Sequence, residues 1–217
     1  IIVLVVAILP ALGAGGVQLF KTEVPGPEKD KLTPRIKETA QLLYMVYIIF
    51  SILQVVFLYI TGMSFYDAIT HMFGTMATGG FSPKNLSVGY YNNIVYEIII
   101  IVFMLIAGTN FTLLYRVFRG NFKNLFGDRE FLFYISIILI SIVIITTQLH
   151  VYIYKSILTA LRYASFQVIA ITTTTGFITA DFNQWPALSK SILIVLVFMG
   201  GCSGSTSGGI KAIRILV

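Results

Sequence analysis

Thr172-Thr173-Thr174-Thr175-Gly176-Phe177 is a short polar stretch in a chain built otherwise of long apolar runs. It has a counterpart upstream, Thr75-Met76-Ala77-Thr78-Gly79-Gly80-Phe81, which ends on the same Gly-Phe pair. Each copy follows a short semi-polar helical pattern and is flanked by apolar segments of membrane length. A permeating cation needs oxygens to replace its water, and backbone carbonyls supply them most easily where glycine widens the allowed φ and ψ. A single Gly-Phe would read as an ordinary loop turn. Two copies in matched surroundings read as a pair of ion-filter strands, with the carbonyls of Ala77, Thr78, Gly79 and Gly80 and of Thr173, Thr174, Thr175 and Gly176 as the expected ion ligands.

Composition sets the solvent. Hydrophobic residues make up 57% of the 217 and charged residues 11%, against a charged share of roughly a quarter in soluble domains. The chain is therefore expected to be a polytopic membrane protein. Its first residues are already apolar, with no basic segment and no small-residue cleavage site, so they read as the middle of a helix and the chain as a fragment cut at both ends. One cysteine (Cys202) and two histidines (His71, His150) cannot build a disulfide framework or a convincing zinc site. No cofactor is expected. The net charge of +6 matters less than its distribution between loops.

Residues 1–20 read as the last helix of a truncated first unit and 21–38 as a cytoplasmic linker, with Thr33 and Pro34 as a helix-starting pair. A second unit is expected over 39–120. It comprises a spanning helix at 39–61, a short helix at 64–74 opened by a Ser64 to Asp67 capping box, the filter at 75–81 and a span at 94–118. The short helix cannot cross a core of roughly 30 Å, so it must be re-entrant or interfacial. A third unit over 121–217 repeats the order: span 131–154, short helix 156–171, filter 172–177, and a last span at 191–217 interrupted at 200–209. A shift of 96 superimposes Gly80 on Gly176, Phe81 on Phe177, Ala68 on Ala164, His71 on Gln167 and Gly108 on Gly204. Eleven of the fifteen Lys and Arg lie at 21–37, 116–129 and 211–214, while Lys84, Lys155, Arg162 and Lys190 fall on the other side. By the positive-inside rule the filters open outward.

The interruption is Gly200, Gly201, Cys202, Ser203, Gly204, Ser205, Thr206, Ser207, Gly208 and Gly209. Gly200, Gly204 and Gly208 would make a small-residue packing face if the helix continued. Five glycines in ten residues cost roughly 4 to 5 kcal/mol of helix propensity relative to alanine, which favours a break. A phosphate-binding Walker loop is excluded, since Lys211 follows Ile210 and no Ser or Thr comes after it. Asp67 and His71 read as a cap and a pore-helix surface residue, not as an acid-base pair. Asn110 either faces the pore or bonds between helices. Asp181 either concentrates cations at the mouth or is a solvated loop acid. Glu97, near a helix end, is given no role, and Lys211 and Arg214 are expected to anchor the last helix at the cytoplasmic surface.

The stretches ILPALGAGG, PGPEKDKLTPRI, TMATGGF, TTTTGF and GGCSGSTSGGIKAIRIL, in that order and over essentially the whole chain, resemble the Trk/Ktr/HKT potassium transporters, the Trk branch above all. The resemblance implies an all-α membrane protein of repeated helix, pore-helix, filter-loop and helix units, potassium-channel-like, with four units around one pore in a complete subunit. It maps the filter glycine onto Gly80 and Gly176 and makes Gly200 to Gly209 an intramembrane loop that gates the pore. It further implies K+ as the transported ion, a homodimer, a cytosolic nucleotide-binding regulatory subunit, and a multi-pass place in the inner or plasma membrane. No enzyme activity is expected. The alternatives are a sodium-permeable member of the family and, from another class, a membrane-embedded enzyme using the Ser/Cys-rich loop.

Overall fold

The computed structural model describes residues 36–120 and 123–216. The helix expected at 1–20, and the linker up to residue 35, lie outside the described residues. The next helix, α1 (Ile36–Ile60), begins inside the expected linker. Among the residues of α1 whose burial is described, polarity is turned inside out relative to a soluble helix. Gln54 and Ser51 are buried with Leu43, Val46 and Leu58, while Met45, Ile52 and Tyr59 are exposed. Such a helix suits lipid outside and hydrogen bonds inside.

A turn at Gly62 leads into α2 (Phe65–Met76), whose N-cap Ser64 accepts the Asp67 N–H at 3.1 Å. After a 3-10 turn at Ser87–Tyr91 comes α3 (Ile94–Ala107), capped by Asn93. The sequence reading expects one span over 94–118. The structure breaks it at 108–110 and resumes as α4 (Phe111–Phe118), bent 106° from α3. Asn110 is the N-cap of α4, its Oδ1 accepting the Thr112 N–H at 2.8 Å, and this is the role that sequence left open. The short α5 (Lys123–Gly127) and the cap Asp128 start α6 (Arg129–Tyr152). Then follow α7 (Ile157–Thr172), a 3-10 turn at Phe182–Gln184, α8 (Ala187–Phe198) and α9 (Ala212–Leu216). Among the described residues two helices, Gln41–Ile60 and Arg129–Tyr152, are long and apolar enough to cross a membrane, and the bent pair α3 and α4 makes a third if taken as one span.

The two short helices are held by the long ones. Leu43 and Val46 of α1, Met72 and Met76 of α2, Phe103 and Ala107 of α3 and Phe111 of α4 form one core. A larger core joins α3, α6, α7 and α8 through Ile100, Met104, Tyr134, Ile145, Ala164, Val168, Leu193 and Leu196, with Phe177 inside it. Among the described residues there is no β-strand, only an isolated bridge between Met199 and Ile210.

Candidate functional site: paired glycine loops and the Gly/Ser-rich loop

Both candidate filters start one or two residues later than expected or at a helix end: Thr75 and Met76 close α2, and Thr172 closes α7. They are not strands but segments whose backbone alternates in hand. Ala77 has φ −85° and Thr173 φ −79°, Thr78 and Thr174 have φ 50° and 57°, and Gly80 and Gly176 have φ 66° and 82°. The α2 end is closed by left-handed capping: Thr78 N–H donates to the Thr75 carbonyl at 3.0 Å and Gly79 N–H to the Gly74 carbonyl at 2.9 Å. Gly80 N–H also donates to Gly74, at 3.0 Å. In the other copy Thr174 N–H donates to Ile171 and Gly176 N–H to Ala170, each at 2.9 Å. The N–H groups of Ala77 to Gly80, and those of Thr173, Thr174 and Gly176, are thus committed to the ends of α2 and α7.

The two loops meet. A β-carbon on Gly80 would overlap the Thr175 carbonyl oxygen and lie 3.3 Å from the Gly176 carbonyl carbon. Phe177, the residue after the second loop, is fully buried with its ring 5.7 Å from His71 and its tip 2.8 Å from where a Gly74 β-carbon would sit. Phe81, its repeat partner, is 79% exposed. His71 is fully buried, a correction to its reading as a pore-helix surface residue. One ring nitrogen pairs with the Asp67 carbonyl at 2.7 Å and the other with Ser82 Oγ at 3.1 Å, which ties α2 to the chain beyond the first loop. Gln54 Nε2 donates to Thr75 Oγ1 at 2.8 Å, so α1 braces the same loop from behind.

Threonine in the left-handed region is strained, because its branched β-carbon crowds the backbone. Finding it at Thr78 and at the equivalent Thr174 calls for a use of the side chain, and both hydroxyls reach the Gly/Ser-rich loop. Thr78 Oγ1 donates to the Thr206 carbonyl at 2.9 Å, and Gly208 N–H donates to Thr174 Oγ1 at 2.7 Å. Sequence reasoning assigned only the carbonyls of these threonines.

The Gly/Ser-rich loop is an excursion between α8 and α9 whose ends close on each other. Ile210 N–H donates to Phe198, Gly200 N–H to Ile210 at 2.8 Å, and Ala212 N–H to Gly201 at 3.1 Å. A β-carbon on Gly200 would overlap the Gly208 carbonyl oxygen, which requires glycine at this neck. The loop is docked onto the break between α3 and α4: Cys202 N–H donates to Gly108 at 2.8 Å, Thr206 N–H to Ala107 at 3.2 Å, and Phe111 N–H to the Gly204 carbonyl at 3.1 Å. Gly200 to Ser203 and Ser207 are buried, whereas Gly208 and Gly209 are exposed. Ser205 and Ser207 share a hydrogen bond between their hydroxyls at 2.8 Å, and Ser207 Oγ accepts the Gly201 N–H. Lys211 turns back into the loop, donating to the Ser207 carbonyl and, at 3.4 Å, to Ser205 Oγ.

Three further groups find partners that the sequence reading did not name. Glu97 is 2% exposed and accepts both Nε and Nη2 of Arg162 at 2.7 Å, so it pairs across units instead of snorkelling. Asp181 caps the 3-10 turn that follows it, accepting the Asn183 N–H at 3.1 Å. Glu130, to which the sequence analysis gave no role, is buried against Ser203.

The family description TrkH, a cation transport protein, matches residues 1–217. The chain belongs to the TrkH family. The Trk system potassium uptake protein TrkH of Salmonella typhimurium is 45% identical over 220 residues, covering all of this chain and 46% of that protein. The TrkH of Escherichia coli K12 is 43% identical with the same coverage, and the TrkG of that strain is 39% identical, with 45% of it covered. The crystal structure of the potassium transporter TrkH from Vibrio parahaemolyticus superposes with a TM-score of 0.80 at 40% identity, covering all of this chain and 44% of that one. This TrkH-family chain thus has the helical membrane fold with pore-helix units, and it spans a little under half the length of the curated relatives it matches.

Proposed function

We propose that the chain forms two quadrants of a potassium-conducting pore, in which Ala77 to Gly80 and Thr173 to Gly176 are neighbouring walls of the selectivity filter. The observation that carries this reading is the meeting of Gly80 with Thr175 and Gly176, in loops where the N–H groups of Ala77 to Gly80 and of Thr173, Thr174 and Gly176 are already bound behind them. With those donors occupied and the backbone alternating in hand, the carbonyls are left to face a common axis and replace an ion's hydration shell. The α2 and α7 helices end at the loops and aim their partially negative C-termini at the same place, an effect worth about 1 kcal/mol. The relatives named as potassium uptake proteins support K+ as the cargo.

Gly200 to Gly209 is the gate of this pore: it hangs from the neck at Gly200 and Ile210 and touches both filter threonines from one side. The protein works as a multi-pass subunit in the cell membrane, moving K+ down its electrochemical gradient, as a homodimer served by a cytosolic nucleotide-binding regulatory subunit. The unit boundaries follow the same reading, with the second unit over 39–120 and the third over 121–217.

The test is rubidium and potassium uptake by the full-length protein in cells lacking other uptake systems. Gly176→Ser should lower K+ preference over Na+ at least about tenfold, because a side chain at φ 82° displaces the carbonyls. Cys202→Ala should leave uptake intact. An unchanged ion preference in Gly176→Ser, with uptake abolished by Cys202→Ala and Ser203→Ala, would instead make the loop a nucleophile-bearing enzyme site.

A further inference from the structure

We infer that Glu130 is the positioning residue of the Gly/Ser-rich loop, a carboxylate that holds both limbs of the loop at fixed height so that its middle can meet the filter threonines. The inference rests on the reading of that loop as a gate.

Glu130 stands in the first turn of α6, two residues after the cap Asp128, where unpaired N–H groups and the helix dipole favour an anion. Its side chain does not point to solvent, being only 7% exposed. Oε1 accepts the Ser203 N–H at 2.6 Å and the Ile213 N–H at 3.2 Å, and Oε2 accepts the Ser203 hydroxyl at 2.8 Å. Ser203 lies on the limb descending from α8, and Ile213 lies in α9 on the limb that leaves. One carboxylate on a different helix therefore clamps both sides of the neck. Ser203 lies outside regular helix and Ile213 in the first turn of α9, so neither N–H has an intrahelical partner and both need an acceptor from elsewhere. Between these clamped points the loop is held by neutral bonds: a threonine hydroxyl on Thr206, a threonine acceptor for Gly208, and the bonds of Thr206 and Gly204 to Ala107 and Phe111 at the α3–α4 break. This division makes 204–209 the segment that moves and Glu130 the point about which it moves. A charge-assisted clamp outlasts the neutral bonds that must break for opening.

The chemistry of the clamp predicts a specific pattern of substitution. Glutamine keeps one carbonyl oxygen for the two N–H groups and offers an N–H to the Ser203 hydroxyl, which can accept as well as donate. Alanine leaves two backbone donors without a partner, and aspartate is one methylene too short to reach both limbs.

The experiment uses the full-length assembled protein in proteoliposomes and planar bilayers, with Rb+ flux, single-channel recording and thiol labelling at Cys202, against a Cys202→Ser control. Cys202 adjoins Ser203 and is 1% exposed, so it reports on loop position independently of conduction. Glu130→Ala should raise the open fraction about tenfold or more. Unitary conductance and K+ over Na+ preference should stay unchanged, and Cys202 should become reactive. Glu130→Gln, which keeps the clamp's geometry with neutral bonds, should lie closest to the wild type in each readout, and Glu130→Asp should fall between it and alanine. If Glu130→Ala does not accumulate in membranes, the aspartate and glutamine variants carry the same contrast. Wild-type gating with an unreactive Cys202 in Glu130→Ala or Glu130→Asp overturns the inference, as does a glutamine variant as impaired as the alanine one. A wild type that carries no Rb+, while Glu130→Ala still exposes Cys202, overturns the pore reading and leaves the clamp standing.

Discussion

Gly79 and Gly80 are adjacent yet tolerate a side chain very differently. At Gly80 the backbone is left-handed and the β-carbon position is already occupied by the Thr175 carbonyl oxygen. At Gly79 a β-carbon would meet only the Phe81 ring, at 3.2 and 3.3 Å, and that ring is exposed and free to swing. Gly80→Ala should therefore destabilise the protein by about 2 kcal/mol or more, combining left-handed strain with backbone overlap, and Gly79→Ala by less than about 1 kcal/mol. Melting of detergent-solubilised protein, followed by fluorescence-detected size exclusion, ranks the two. A Gly79 variant melting as low as the Gly80 variant would mean that the Gly80 and Thr175 backbones are not in contact.

Among elements, the Gly/Ser-rich loop joins the filter through two hydroxyls that differ in role, since Thr78 donates to it and Thr174 accepts from it. Each is a neutral bond, worth about 1 kcal/mol net. Thr78→Val and Thr174→Val keep the shape and remove the bonds, so each should raise the open fraction about fivefold, with the double variant near the product. Ion preference should hold, because the backbone proposed to coordinate the ion is unchanged. Recording open probability and reversal potential together checks both halves, and a shifted reversal potential with unaltered gating would assign the hydroxyls to the ion path instead.

Across the whole molecule, the proposed second and third units are joined at three places. Phe177 is buried against Gly74 and His71 of the second unit, the Gly80 and Thr175 backbones touch, and Glu97 of α3 pairs with Arg162 of α7. The last is an ion pair with Glu97 almost fully enclosed, so removing one partner costs more than removing both. Arg162→Ala should lower the melting temperature further than the double variant Glu97→Ala/Arg162→Ala. Equal melting temperatures would show that Glu97 finds water or another donor.

The sequence by itself determined the membrane class, the family and the order of spans and short helices. The class and the order follow from local run lengths, glycine spacing and a repeat at 96 residues, and the family from the ordered stretches that resemble it, all of which are readable along one dimension. The break at Gly108 was present in that repeat, which pairs it with Gly204, but apolar residues on both sides concealed it behind the length of a single span. Only the tertiary structure decided what the polar groups do. His71 behind the first loop, Glu97 on Arg162, the threonine hydroxyls on the Gly/Ser-rich loop and Glu130 on its neck each bond to residues remote in sequence or to backbone whose direction no local pattern fixes. Inside a bilayer such groups must find partners within the protein. That need is legible in the chain, whereas the identity of the partner depends on which helices come together.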